Sequence, residues 1–190
     1  NFAMDLRYNK DNGYLNFKGE AALKRPNGMS LADEYSDKLK TQLDSISEGL
    51  GNTGQRDAFK RFSGNMMTQF RGEAMQHEAQ QNNMYMGSVA QATQDTAARE
   101  IALSWNDPNG IDGAAQRLKI AAYQEASLTG KSPEWADARA RAGLSKGHSL
   151  ALSAAIERGD YTGANSYLDK YSGQMQADDI LRVRSAINKQ

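Results

Sequence analysis

His77 stands four residues after Glu73, and on a helix that spacing places an imidazole and a carboxylate on one face. Such a pair can donate two ligands to a metal ion. A metal site needs a third and a fourth ligand, and no neighbour supplies one, so the pair reads as part of a solvated helix face. His148, between Gly147 and Ser149, reads as a loop or helix-surface residue. Glu100 beside Ile101 comes nearest to a desolvated acid, with Arg99 or solvent expected to satisfy it. A paired-carboxylate hydrolase needs one acid held in an apolar cleft, and none of the 23 carboxylates sits in such a setting. No Ser/His/Asp set, phosphate-cradling glycine loop or zinc signature is present. With no cysteine, disulfides and thiolate metal sites are excluded. The sequence therefore nominates no catalytic, cofactor-binding or metal residue, and predicts a protein that is not an enzyme and takes no small-molecule substrate.

Two groups of cations could meet phosphates: Arg139 and Arg141 with Lys146, and Arg182 and Arg184 with Lys189. A spacing of two puts each arginine pair on different helix faces, which favours ordinary surface charge. Five of the eight methionines, Met66, Met67, Met75, Met84 and Met86, fall in one stretch. Methionine fills irregular gaps in a core, and it also suits adaptable contacts with another protein or with lipid.

The element that must carry most of these residues runs from Thr53 to Trp105, without a proline and rich in Gln, Ala, Met and Arg. It reads as one very long helix, or two nearly end to end; at 1.5 Å per residue, fifty residues span roughly 75 Å. Phe59, Phe62, Met66 and Phe70 share one face at its start, and Val89, Ala90, Ala97, Ile101, Leu103 and Trp105 make an apolar surface at its end. The polar middle, 73–83, has little to bury, which implies a solvated span or a contact with another chain. Gly64, Gly72 and Gly87 are the expected kink points or close approaches.

Before it, residues 1–29 read as an irregular arm. Asn12-Gly13 is a turn signal, Met4–Tyr8 and Tyr14–Phe17 make a small hairpin or an ordered arm, and a short helix over 17–24 stops at Pro26. Ser30 with Asp33 opens a helix whose apolar stripe is Leu31, Tyr35, Leu39, Leu43, Ile46 and Leu50. A short glycine-rich loop, with Asn52 or Thr53 as cap, then makes it an antiparallel neighbour of the Phe59–Phe70 face.

After Trp105, Asn106–Gly110 reads as a loop, and four shorter helices follow. Asp112 caps 113–129; Ser132-Pro133 opens a helix to Arg158 with an interruption near Gly143–Gly147. Asp160 caps 161–171, and 177–188 is buried through Ile180, Leu181, Val183 and Ile187. The turn at Gly159-Asp160 between two helices resembles a tetratricopeptide-type hairpin, without a second copy at that repeat's period.

The predicted fold is thus all-α: an elongated multi-helix domain with one very long central helix and a C-terminal set of shorter hairpins. Its parts are the arm 1–29, a hairpin with the long helix over 30–105, and a small bundle over 106–190, together one structural unit of a larger protein. Hydrophobic residues are 39% of the 190 and the mean hydropathy is −0.74, which excludes a helical membrane protein. The 23 basic and 23 acidic residues balance. Residues 1–112 hold 12 basic against 15 acidic and 113–190 hold 11 against 8, a split far from the basic stripe of a dedicated DNA binder.

The order of features resembles a helical domain of internal or DNA-ejection proteins of tailed bacteriophages and prophages. The residues that carry the likeness are Asn12-Gly13-Tyr14-Leu15-Asn16-Phe17-Lys18-Gly19-Glu20-Ala21-Ala22-Leu23 and the amphipathic helix with Tyr35 and Leu43-Asp44. Gln55-Arg56-Asp57-Ala58-Phe59, opening a Gln/Ala-rich helix, and the later 156–168 hairpin complete it. The resemblance implies a structural virion protein, made in the bacterial host, which meets copies of itself or other virion proteins, with weak DNA or membrane contact during genome delivery. Some such proteins carry a lytic transglycosylase domain; its Glu-Ser signature is absent here, so that activity is not carried over. The rival reading is a cytosolic helical adaptor that binds a peptide in the hairpins after Gly110.

Overall fold

Ser30 has extended backbone and its hydroxyl accepts a hydrogen bond from Asp33 N at 3.0 Å, so α3 (Leu31–Glu48) begins where the capping pattern requires. Asn52 does the same for the next helix, its Oδ1 accepting from Gln55 N at 2.8 Å. That helix, α4, runs unbroken over Thr53–Leu103, 51 residues. In this computed structural model, which describes residues 2–188, the remaining helices are α1 (Phe2–Tyr8), α2 (Glu20–Leu23), α5 (Pro108–Thr129), α6 (Pro133–Glu157), α7 (Tyr161–Tyr171) and α8 (Ala177–Asn188). Two 3-10 turns lie at Tyr14–Asn16 and Ser172–Gln174, and no strand occurs among the described residues. The fold is all-α with one very long helix and a C-terminal set of shorter ones. None of the described helices is long and apolar enough to cross a membrane.

The chain forms two compact units, Asn1–Tyr85 and Met86–Gln190, each receiving part of α4. In the first, the arm is not irregular: α1, the 3-10 turn and α2 lay Ala3, Leu6, Tyr14 and Ala22 over α3 and α4. No β-hairpin forms, because Tyr14 has better apolar company than a paired strand could give it. Its ring meets the edges of Tyr35 and Phe70 at centroid distances of 5.7 and 5.6 Å, and fully burying such a side chain contributes about 1.5–3 kcal/mol. Leu31, Tyr35, Leu39 and Leu43 are buried as the stripe predicts. The stripe fails at its end, where Ile46 and, on α4, Phe62 are exposed.

In the second unit, α4 supplies Ala97, Ala98 and Ile101 to a core shared with α5, α6, α7 and α8. Two expectations are corrected. Asn106–Gly110 is not all loop: Pro108 sits at N1, where its missing N–H costs nothing, and α5 starts there rather than at Gly113. Helix α6 is not interrupted at Gly143–Gly147; both glycines are points of close approach to neighbouring helices. Gly130, at φ +67, is the left-handed stop of α5, and Ser132 caps α6 through Trp135 N at 3.3 Å. Leu181 and Leu103, read as apolar surface to be buried, are exposed.

Continuity of α4 has a direct test. Gly64 is exposed inside the helix, and a Cβ there meets nothing within 4 Å. Gly64→Ala is therefore expected to stabilise the chain by about 1 kcal/mol, read as a rise of a few degrees in the thermal midpoint by circular dichroism. An unchanged or lowered midpoint would mean that the backbone at Gly64 is not helical.

Candidate functional site

Neither histidine is on a solvated surface. His77 is buried in the first unit, its Nε2–H donating to the Phe17 carbonyl at 2.9 Å. Glu73, the other half of the pair, is engaged too: it accepts from Arg7 Nε at 2.7 Å and from Gln69. Arg7 is the main reason that Glu73's carboxyl is held below its ordinary range. Glu78 accepts from Ala32 N at 3.1 Å, and Gln81 from Gly19 N at 2.9 Å. The segment expected to have little to bury is the polar wall on which the N-terminal arm rests. No group of three or more His, Asp or Glu able to hold a metal ion occurs among the described residues.

His148 is fully buried in α6, correcting its reading as a surface residue. Gln174 Oε1, 3.2 Å from Nε2, only accepts, so Nε2 carries the proton and Nδ1 accepts from Tyr167 O–H at 2.9 Å. Tyr167 stacks on Trp105 at 4.5 Å, and His148 stacks on Tyr171 at 5.0 Å. Burial lowers the imidazole's pKa and pushes the Tyr167 phenol well above its ordinary value. Beside this cluster Ser145 Oγ donates to Asp179 at 2.5 Å and accepts from Gln176 N at 2.9 Å, tying α6 to the start of α8. The arrangement is a closed hydrogen-bonded core.

The remaining nominees are separated. Glu100 pairs with Arg117, a residue on α5, and not with Arg99. Arg139 pairs with Glu125 at 3.3 Å, Lys146 with Asp95 at 3.0 Å and Arg182 with Asp179 at 3.2 Å. Lys189 lies outside the described residues. Met66 and Met67 pack against the first core, whereas Met75, Met84 and Met86 are exposed.

Exposure on α4 reveals a surface that the search for chemistry missed. Gly72, Met75, Ala79 and Asn82 in the first unit, and Met86, Val89, Thr93 and Thr96 in the second, are all exposed. Along the sequence they alternate at spacings of three and four, the period of a helix–helix seam. None of them carries a charge. Glu73, His77 and Glu78 are engaged by the first unit and Asp95 by Lys146 of the second. The sequence carries no charge at all between Glu78 and Asp95. The spacing was present in the sequence; the exposure was not. Comparison with protein-family models, with curated proteins and with solved structures finds no match.

Proposed function

We propose that this chain is a structural, non-catalytic assembly module of a phage or prophage virion, acting by helix–helix contact with copies of itself or other virion proteins during genome delivery. The observation that carries the assembly part is the set of uncharged, exposed positions of α4 spaced by three and four within each unit: Gly72, Met75, Ala79 and Asn82 in the first, and Met86, Val89, Thr93 and Thr96 in the second. Of the eight positions Met75, Ala79, Met86 and Val89 are apolar, and methionine adapts to irregular contacts with a partner. Asn82 among them is the kind of polar residue that fixes register at some cost in stability. The virion part rests on the resemblance carried by residues 12–23, 55–59 and 156–168.

The first test is sedimentation and light scattering of the whole chain over a wide concentration range. Wild type should associate; the double substitution Ala79→Glu and Met86→Glu, at two exposed positions, should be monomeric with unchanged helix content. A wild type that stays monomeric throughout would sink the assembly reading. Mass spectrometry of purified particles tests the virion reading, which fails if the chain is absent from them. The second reading, a helical adaptor, is favoured by the self-contained core of residues 86–190, and predicts a monomer that captures a peptide.

A further inference from the structure

We propose that the groove between α5 and α6 binds an acidic peptide segment, seating a carboxylate beside an apolar side chain. The cavity has a volume of about 430 Å³. Its floor is Ala140 and Leu144, both buried. Lys119 of α5 and Arg141 of α6 line it from two different helices, and neither takes part in an ion pair among the described residues. The one carboxylate in the lining, Asp137, is engaged by the Tyr123 hydroxyl at 2.6 Å. Gln174 closes the lining, and its amide is oriented from behind: Oε1 accepts from buried His148, which leaves the NH₂ as its unused group.

The groove therefore sets two cations outside the ion pairs and one amide donor against a single carboxylate, Asp137, over an apolar floor. Donors of that kind select a carboxylate or a phosphate. The floor and the balanced charge of the whole chain favour a peptide carboxylate over a nucleic-acid backbone, which would need a basic stripe. The groove uses residues of the second unit only, so this inference holds for a virion component and for an adaptor alike, and it is independent of the α4 stripe.

The probe is a blocked tetrapeptide of alternating leucine and glutamate, titrated into the isotopically labelled whole chain and followed by amide chemical shifts. Saturable shifts are expected at Lys119, Tyr123, Arg141 and Gln174. Lys119→Glu and Arg141→Glu, both surface changes, should each weaken binding at least about tenfold, while Lys24→Glu in the other unit should not. Gln174→Glu keeps an acceptor for His148 and removes the donor, and should weaken binding as well. Absence of a saturable shift would overturn the proposal. Equal binding of the glutamine-for-glutamate peptide would reduce the groove to an apolar contact, and equal shifts with inorganic phosphate would make it a simple anion site; either result also overturns it.

Discussion

A valine at position 147 is expected to cost the second unit about 3 kcal/mol, because α6 leaves no room for it. A Cβ on Gly147 would stand 2.8 Å from the Ala98 carbonyl oxygen and 3.1 Å from Ile101 Cβ. The obstacle is backbone: that oxygen belongs to the interior of α4 and cannot rotate aside as a side chain would. Gly147→Ala gains about 1 kcal/mol in helix propensity and loses more to the clash, for a net loss of about 1–2 kcal/mol. Gly143→Ala should lie between, since its Cβ would meet Leu118 methyls at 3.0 Å, which can shift only within a full core. The same Gly→Ala change thus has opposite signs at 64 and at 147. Both Trp residues, Trp105 and Trp135, lie in the second unit, so urea unfolding followed by tryptophan fluorescence reads this unit directly. A midpoint for Gly147→Ala at or above wild type would mean that α6 does not sit on α4 at this distance.

Where the sequence was legible, the signal was local. The caps at Ser30, Asn52, Ser132 and Asp160 each need only a hydroxyl, amide or carboxylate within three residues of the N–H it receives. The length of α4 and the stripe of α3 are likewise properties of neighbouring residues; whether α4 is one helix or two was left open by its glycines, and Gly64, Gly72 and Gly87 do not break it. Both histidines were misread because burial is decided by partners far along the chain: His77 is covered by Phe17, His148 by Tyr167 and Gln174. Much of the second core is alanine, with Ala97, Ala98, Ala114, Ala122, Ala151, Ala155 and Ala164 all buried. A search for bulky apolar periodicity undercounts such a core, since alanine is also the commonplace residue of any helix. The same reasoning explains the stripe of α4. Only four of its eight residues, Met75, Ala79, Met86 and Val89, are apolar, and it is their exposure that makes the stripe visible.

Acid should weaken the second unit before it breaks the main ion-pair network of the first. His148 is neutral and buried, bonded to Tyr167 and Gln174 with Tyr171 stacked against it, and no carboxylate is bonded to its ring. Burial lowers its pKa from the ordinary 6.5. As pH falls below 6.5 the unfolded chain takes up a proton that the folded one refuses. Stability is then lost at up to about 1.4 kcal/mol per pH unit, until the folded imidazole itself titrates. Protonation also forces Nδ1 to become a donor, which turns the Tyr167 hydroxyl from donor to acceptor and leaves its proton without a partner. Glu34 works in a lower window. Arg25 at 2.7 Å and then Lys38 at 2.6 Å hold its carboxyl at about 2 against an ordinary 4.5. That stabilisation, about 3 kcal/mol, is present above pH 4.5 and disappears as pH falls toward 2. Urea midpoints from tryptophan fluorescence should therefore fall between pH 6.5 and 5.5 in wild type. His148→Gln, which cannot titrate, should be weaker at pH 7.5 but flat across that interval. An identical slope in His148→Gln would assign the acid sensitivity to another group and remove His148 as its origin. Glu34→Gln should flatten the helical signal's loss between pH 4.5 and 2 while leaving the tryptophan transition where it was.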